Sequence, residues 1–204
     1  MRKLYVAIKV LIVLAMVLSP LAGVQGQEIG QTLGQIKANT IQSIEIKNGI
    51  NYIDLNGDGK KDMVISGFRG NSTAHTFSVY SFYVYDKLNL GEQSYEWHIV
   101  SVGGGGGLLG DDIRKYVRAT AQGADCVLTD IRLVRFKNGA SYYLVIAERP
   151  FGESYGDSLN VKFLFYRLIY NKMDMRFIYE KVKEINSKGK YCDINEAFEN
   201  ELGY

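Results

Sequence analysis

Oxygen-bearing side chains alternate along one short segment of the chain, in a pattern that could bind a metal ion. They are Asp54, Asn56, Asp58 and Asp62 at positions 1, 3, 5 and 9 of the segment, with the main-chain carbonyl of Lys60 at position 7. Ca²⁺ takes its oxygen ligands at about 2.3–2.6 Å, and alternate spacing lets a short loop aim several oxygens at one point. The segment therefore predicts a structural calcium site.

The residues around this segment distinguish it from an EF-hand. Position 12, where an EF-hand carries a bidentate glutamate, is Ile65, and both flanks, residues 51–53 and 63–66, read as strands. Gly57 and Gly59 allow the tight curl, and the segment resembles the inter-strand calcium loops of integrin-type FG-GAP repeats. The alternative is a solvated Asn-Gly and Asp-Gly turn that binds no ion. The three carboxylates at these spacings favour calcium.

The N-terminus has the organisation of a secretory signal peptide. Arg2 and Lys3 precede an apolar run over residues 10–18, and small residues follow up to Gly26. The run is short for a membrane anchor, which is the alternative. We predict a signal peptide over residues 1–26, a single β-rich domain over residues 27–204, and an exported, periplasmic protein without a membrane span after cleavage.

The net charge of the exported part excludes a general affinity for nucleic acid. The full chain has 24 basic and 22 acidic residues, and three of the basic residues, Arg2, Lys3 and Lys9, belong to the signal peptide. The remaining 21 basic and 22 acidic residues leave a net charge of −1. A nearly neutral domain lacks the excess of positive charge that attracts a polyanion, so we expect no nucleic-acid partner.

The two cysteines, Cys126 and Cys192, both lie in the exported part. An oxidising compartment favours a disulfide between them, while two buried free thiols are the alternative. Neither their spacing nor the two distant histidines is typical of a zinc site.

The pattern of the remaining chain predicts a mainly β fold. Apolar and β-branched runs alternate with turn signals, and we predict β-hairpins at Asn48-Gly49 and at residues 137–139. Residues 193–202 read as a short helix with Asp193 at its start. We predict a single antiparallel β-sheet or sandwich domain with a calcium-binding inter-strand loop and one or two short helices.

No segment carries a convincing catalytic set, and we predict that the protein is not an enzyme. Residues 152–156 match the G-x-S-x-G pattern of a hydrolase elbow with Ser154 as the nucleophile. The elbow requires a following helix and a later histidine, whereas here a strand follows and both histidines, His75 and His98, come earlier.

The loop after residue 147 contains candidate ligand contacts. Arg149 has the geometry to bind a carboxylate through two hydrogen bonds, with Tyr155 and Phe151 as an apolar wall. Glu153 lies in the same loop, and a structural salt bridge between Arg149 and Glu153 is the alternative.

Two blocks of sequence resemble the CarG-like family of carbapenem intrinsic-resistance, or self-immunity, proteins. The first is YIDLNGDG at residues 52–59, continued by AHTFSVY at residues 74–80. The second is DCVLTDIRL at residues 125–133, continued by AERPFGESY at residues 147–155.

The resemblance implies a periplasmic protein that protects its cell from a carbapenem without hydrolysing it. The resemblance further implies that the protein acts by binding the β-lactam or shielding its targets, with a second resistance protein as a further candidate partner. His75, Arg149, Glu153 and Tyr155 fall in the matching blocks and are the candidate ligand contacts. The alternative function is a calcium-stabilised, periplasmic carbohydrate-binding or adhesion module, which the aromatic content also fits.

Overall fold

The computed structural model describes residues 41–70, 76–90, 92–103, 116–121, 126–136 and 139–203. Residues 37–204 form one compact unit. The predicted signal peptide, residues 1–26, and the candidate contact His75 lie outside the described residues.

Strands dominate the described chain, which confirms the mainly β prediction. In chain order they are β1 (Ile41–Ile44), β2 (Gly49–Ile53), β3 (Asp62–Arg69), β4 (Thr76–Leu90), β5 (Gln93–Val102), β6 (Val117–Ala121), β7 (Thr129–Phe136), β8 (Tyr143–Glu148), β9 (Leu159–Asn171) and β10 (Arg176–Tyr191). A short helix, α1 (Ile194–Ala197), continues into a π-helical turn (Phe198–Leu202). None of the helices in the described part of the chain is long and apolar enough to cross a membrane.

The strands form one curled sheet in the order β1-β7-β8-β9-β10-β5-β4-β3-β2, with β6 paired to the first half of β4. All neighbouring strands are antiparallel except β10 and β5, which run parallel through two residue pairs, Ile178 with Ser101 and Tyr179 with Val102. This short parallel contact joins two antiparallel halves. It is an exception to the purely antiparallel arrangement that the sequence predicts.

The two halves of the sheet share one hydrophobic core. Side chains alternate between the faces of a strand, so every second residue of β3, β4 and β5 points inward. Val64, Phe82 and Val100 are fully buried on this side and face residues such as Leu144 from the other half. The rings of Phe82 and Tyr179 pack edge to face, with their centroids 5.3 Å apart.

The half that contains β7, β8 and β9 is buried on both faces. The C-terminal helical segment covers its outer side, where Phe198 packs on Phe163 at 5.5 Å between ring centroids. Burial on two sides explains why residues 144–147 of β8 are all buried, since such strands read as continuous apolar runs. Asp193 caps α1 by accepting a hydrogen bond from the Asn195 amide at 2.7 Å, which confirms the predicted helix start.

The predicted hairpin at Asn48-Gly49 is wrong. Strand β1 pairs with β7, and β2 pairs with β3, so this turn connects the two halves of the sheet. The Asn51 side chain closes the turn, because it accepts from the Lys47 amide and donates to the Lys47 carbonyl. Gly49 has φ +99°, as the turn signal indicates, but long-range pairing decides the strand partners.

Glu201 fastens the C-terminal segment to β10. Its carboxylate accepts hydrogen bonds from the amides of Lys188 and Gly189, both at 2.9 Å, and from the Tyr191 hydroxyl at 2.8 Å. Burial acts to raise the pKa of Glu201, but these hydrogen bonds outweigh it and hold that pKa below the ordinary value of 4.5.

The Glu201→Gln variant is expected to be less stable than the wild type at neutral pH. A lowered folded-state pKa contributes stability above the unfolded-state pKa, and the contribution disappears as the pH falls through the folded-state value. Urea unfolding from about pH 7 down to pH 3 should therefore show the two proteins converging in acid. A constant difference across this range would contradict the role of the ionised carboxylate.

Candidate functional site

The predicted calcium loop connects β2 to β3 and is held against the end of the β7–β8 hairpin. The Tyr142 amide donates to the Leu55 carbonyl at 2.9 Å, and Leu55 is fully buried. Gly57 has φ +79°, and a Cβ atom on it would lie 2.7 Å from the Ala140 Cβ. Glycine is therefore required at this position by both backbone conformation and close packing.

The first carboxylate of the loop binds the main chain of the loop itself. Asp54 accepts hydrogen bonds from the amides of Gly57, Asp58 and Gly59, at 2.7, 3.1 and 2.9 Å. These bonds reach three to five residues ahead, farther than the two residues of an Asx turn, and they hold the loop in its curl.

The next two predicted ligands behave in the same way. The Asn56 side-chain oxygen accepts from the Asp58 amide at 3.0 Å, and an Asp58 carboxylate oxygen accepts from the Lys60 amide at 2.8 Å. The Lys60 ammonium group lies 5.8 Å from the centre of the Tyr85 ring. The loop is thus ordered by its own side chains and amides.

Asp62, the last predicted ligand, is fully buried and faces the protein interior. Its two oxygens accept hydrogen bonds from the amides of Leu55 at 2.8 Å and Tyr85 at 2.9 Å, so it links the loop to β4. Burial raises the pKa of Asp62 despite these bonds. Complete burial, assisted by the charge of Asp62, raises the pKa of the Tyr179 hydroxyl.

The donor set of the loop fits calcium chemically, since it consists of carboxylate, amide and carbonyl oxygens. Within the described ranges, however, no three His, Cys, Asp or Glu side chains are grouped so as to hold a metal ion. Calcium binding therefore stays a prediction.

Arg149, a predicted ligand contact, lies inside the loop that joins β8 to β9. Its side chain is only 5 % exposed, and its two terminal nitrogens donate to the carbonyls of Pro150, at 3.0 Å, and Tyr155. Burial lowers the pKa of Arg149, although Asp157 and Asp193 oppose the shift. The guanidinium group therefore holds the loop through hydrogen bonds to its carbonyls. The salt bridge with Glu153 was the alternative from the sequence.

The other predicted contacts of this loop are closer to the surface. Glu153 is exposed, and its amide donates to the Asp157 carboxylate at 2.6 Å. The Tyr155 ring packs edge to face on Phe151 at 4.8 Å between centroids, and Phe151 is 48 % exposed. The structure thus brings Arg149, Glu153 and Tyr155 into one loop, and their binding role stays a prediction.

The Arg149→Ala variant is expected to lower the free energy of unfolding by about 1–3 kcal/mol, because two carbonyls of the loop lose their donors. Arg149→Lys should recover only part of this loss, since an ammonium group cannot reproduce the planar two-nitrogen geometry. Urea denaturation of the three proteins tests the effect. Equal stability of all three would show that the guanidinium does not hold the loop.

A disulfide joins Cys126 to Cys192 with their Cα atoms 5.5 Å apart, which confirms the predicted bridge. It connects the segment before β7 to the end of β10. Beside it, Val127 accepts a hydrogen bond from the Ile194 amide at 3.2 Å and donates to Asp193 at 3.1 Å. The start of α1 is therefore fastened by covalent and polar contacts at the same place.

The hydrolase-like motif forms a polar turn. The Ser154 hydroxyl donates to the Asp157 carboxylate at 2.9 Å, and the Ser154 amide donates to the same carboxylate at 3.0 Å. These bonds lower the pKa of Asp157. His98 instead contacts the Asp86 carbonyl through Nε2 at 2.7 Å. Sequence reasoning missed Asp157, although an aspartate whose side chain bonds nearby backbone is a common turn residue.

The chain is similar to a known protein family and to a solved structure. A family model described as carbapenem resistance protein CarG-like matches residues 46–200. The crystal structure of CarG matches with a TM-score of 0.62 and 23 % sequence identity, over 78 % of this chain and 94 % of that chain. No curated protein matches the chain significantly. The structural match shows a shared fold.

Proposed function

Because the chain belongs to the CarG-like family of carbapenem resistance proteins, we propose that it protects its cell from a carbapenem by binding the drug or shielding its targets, without hydrolysis. The family match over residues 46–200 carries this proposal. The matched range includes the predicted calcium loop, the disulfide and the loop that contains Arg149.

The environment of Ser154 supports a non-hydrolytic mode of action. An acyl-transfer nucleophile needs an adjacent base that accepts its proton, usually a histidine that a third group orients. The Ser154 hydroxyl donates to Asp157, which has a lowered pKa, and a carboxylate that stays ionised in this way is a weak base. The turn also leads into β9, whereas a hydrolase elbow leads into a helix.

We place the activity in the periplasm, where carbapenems meet their targets, on the basis of the signal-like N-terminus. A test is expression in a carbapenem-sensitive Gram-negative bacterium, with survival and residual intact drug measured together. We expect protection with no loss of drug from the medium, and no protection when residues 1–26 are deleted. Ser154→Ala is the matched control and should protect as well as the wild type. Drug destruction that this substitution abolishes would establish hydrolysis instead.

We further propose that calcium binds the loop between β2 and β3 as a structural ion. Asp54, Asn56, Asp58 and the Lys60 carbonyl would supply oxygens, together with Asp62 if its carboxylate turns toward the ion. The ion would supply charge neutralisation and rigidity where the loop meets the β7–β8 hairpin. The weak affinity of extracellular modules, about 10⁻⁴–10⁻³ M, is the range we expect.

The Asp58→Ala variant is expected to melt below the wild type in calcium and close to it in EDTA. Calcium at about 30 times its dissociation constant stabilises a protein by about 2 kcal/mol, and this corresponds to about 4–8 °C for a domain of this size. Thermal melts of both proteins under both conditions test the expectation. Equal differences in calcium and in EDTA would show that Asp58 acts without the ion.

A further inference from the structure

Strands β2 to β5 expose one continuous surface on the side away from the core. The strand register aligns Tyr52 with Met63, Met63 with Tyr83, and Tyr83 with Ile99, so these residues form one row across the sheet. Every second residue of each strand shares their face. We call the surface made by these alternate positions of β2, β3, β4 and β5 the outer face.

The outer face is apolar and accessible. Ile50 and Tyr52 are each 59 % exposed, and Trp97 and Ile99 are each 42 % exposed. An antiparallel sheet with one face in the core usually carries polar side chains on the other. Exposed apolar patches of this kind mark sites of contact with proteins or membranes.

The outer face is broad. It follows β4 over nine residues, which corresponds to about 26 Å, and three strand spacings add about 14 Å of width. Gly67, in the middle of β3, has no atom within 4 Å of the position that a Cβ would take. Such a surface fits an extended planar partner better than a small molecule, which prefers a concave pocket.

The charges on the outer face are cationic and lie at its two ends. Arg69 pairs with Phe77 at the end of β3, and the Lys60 ammonium group lies over Tyr85 at the opposite end. The outward positions of the described strands β2 to β5 include no Asp or Glu between these ends. The loop that carries Lys60 also contains the exposed cation Lys61, and its carboxylates Asp54 and Asp58 accept hydrogen bonds from amides of the loop.

This charge distribution favours an anionic partner over a second copy of the chain. If two outer faces stack with antiparallel strands, Arg69 of one copy approaches Lys60 of the other. If the strands are parallel, each cation approaches its own equivalent. Both arrangements bring like charges together, whereas a plane of anionic headgroups attracts Arg69 and Lys60 at once.

We propose that the outer face docks the protein onto an anionic phospholipid bilayer surface. Tyr52 and Trp97 enter the interfacial layer, where tyrosine and tryptophan are enriched, and Ile50 and Ile99 reach the acyl boundary. Arg69 and Lys60 contact lipid phosphates through long side chains that keep their charges in the headgroup layer.

Trp97 is the one tryptophan of the chain and reports directly on this surface. The protein from residue 27 onward, which contains the whole compact unit, is mixed with vesicles of phosphatidylethanolamine and phosphatidylglycerol, or of phosphatidylcholine alone. We expect the Trp97 emission to move to shorter wavelength and the protein to sediment with the anionic vesicles. Arg69→Ala should weaken this binding about fivefold, and added salt should weaken it further.

Ile99→Glu should reduce binding to the anionic vesicles at least about tenfold, because a carboxylate would enter the interface. Asn186→Glu is the matched control, since Asn186 is exposed on β10 seven residues beyond the last pair of β10 with β5, and its binding should equal that of the wild type. Thermal melts confirm that both variants fold. Two results would overturn the proposal: vesicles that leave the Trp97 emission unchanged, or an emission shift that follows protein concentration without vesicles, which would identify a second copy as the occupant.

Discussion

Replacing Asp62 with alanine is expected to lower the free energy of unfolding by about 2–5 kcal/mol. The substitution removes the acceptor of two amides, those of Leu55 and Tyr85, at a fully buried position. A buried amide without a partner costs about 1–3 kcal/mol. Both lost hydrogen bonds lie where the loop contacts β4. Urea unfolding in EDTA measures this effect without any contribution from a bound ion.

Asp62→Asn is the matched control, because its amide oxygen retains one of the two acceptors. We expect it to lose less stability than Asp62→Ala. Comparing each variant in calcium and in EDTA also separates the buried hydrogen bonds from metal ligation, because only the ligand role requires calcium in the buffer. A loss below about 0.5 kcal/mol for Asp62→Ala in EDTA would mean that these two hydrogen bonds do not hold the loop.

The pH dependence of Asp62 has the opposite sign to that of Glu201. Burial raises the pKa of Asp62 above 3.8, so the folded state retains its proton to higher pH than the unfolded state. The contribution of this group to stability is fully present below the unfolded-state pKa and is lost as the pH rises through the folded-state pKa. Asp62→Asn should remove this component from the curve of stability against pH.

Removal of the disulfide is expected to cost about 4 kcal/mol, the other large effect. The bridge closes a loop with a sequence separation of 66, and the chain-entropy model assigns about this value to a loop of that length. The double variant Cys126→Ala/Cys192→Ala should show it in urea unfolding. Within the C-terminal helical segment, the start of α1 should then be the part least protected from hydrogen exchange. The contacts at Asp193 depend on the position that the disulfide fixes.

Reductant provides the control for this prediction. Dithiothreitol should destabilise the wild type by a similar amount and leave the double variant unchanged. A double variant as stable as the oxidised wild type would show that the bridge constrains neither the unfolded chain nor the attachment of α1.

Local signals in the sequence identified the features whose cause is local. Gly57 follows from the tight turn of the loop, and Asp193 follows from the need for an acceptor at a helix start. The pairing of Cys126 with Cys192 was predicted from the signal-like N-terminus and from the presence of two cysteines in the chain. In each of these cases the signal lies in a few residues of the sequence.

Features that depend on distant pairing were not predictable from the pattern. Asn48-Gly49 carries the usual hairpin signal, yet β1 and β2 belong to opposite halves of the sheet. The parallel contact between β5 and β10 has no local signature, because it joins residues 101 and 178. The interior position of Arg149 depends on the path of its loop, which the sequence alone leaves open.

The most direct test of the proposed function is a titration of the purified protein with a carbapenem in calcium-containing buffer. Calorimetry follows binding, and absorbance follows the lactam ring in the same samples. We expect saturable heat and a ring absorbance that matches the protein-free control over hours. Progressive loss of the ring absorbance at substoichiometric protein, with many turnovers per molecule, would contradict protection without hydrolysis.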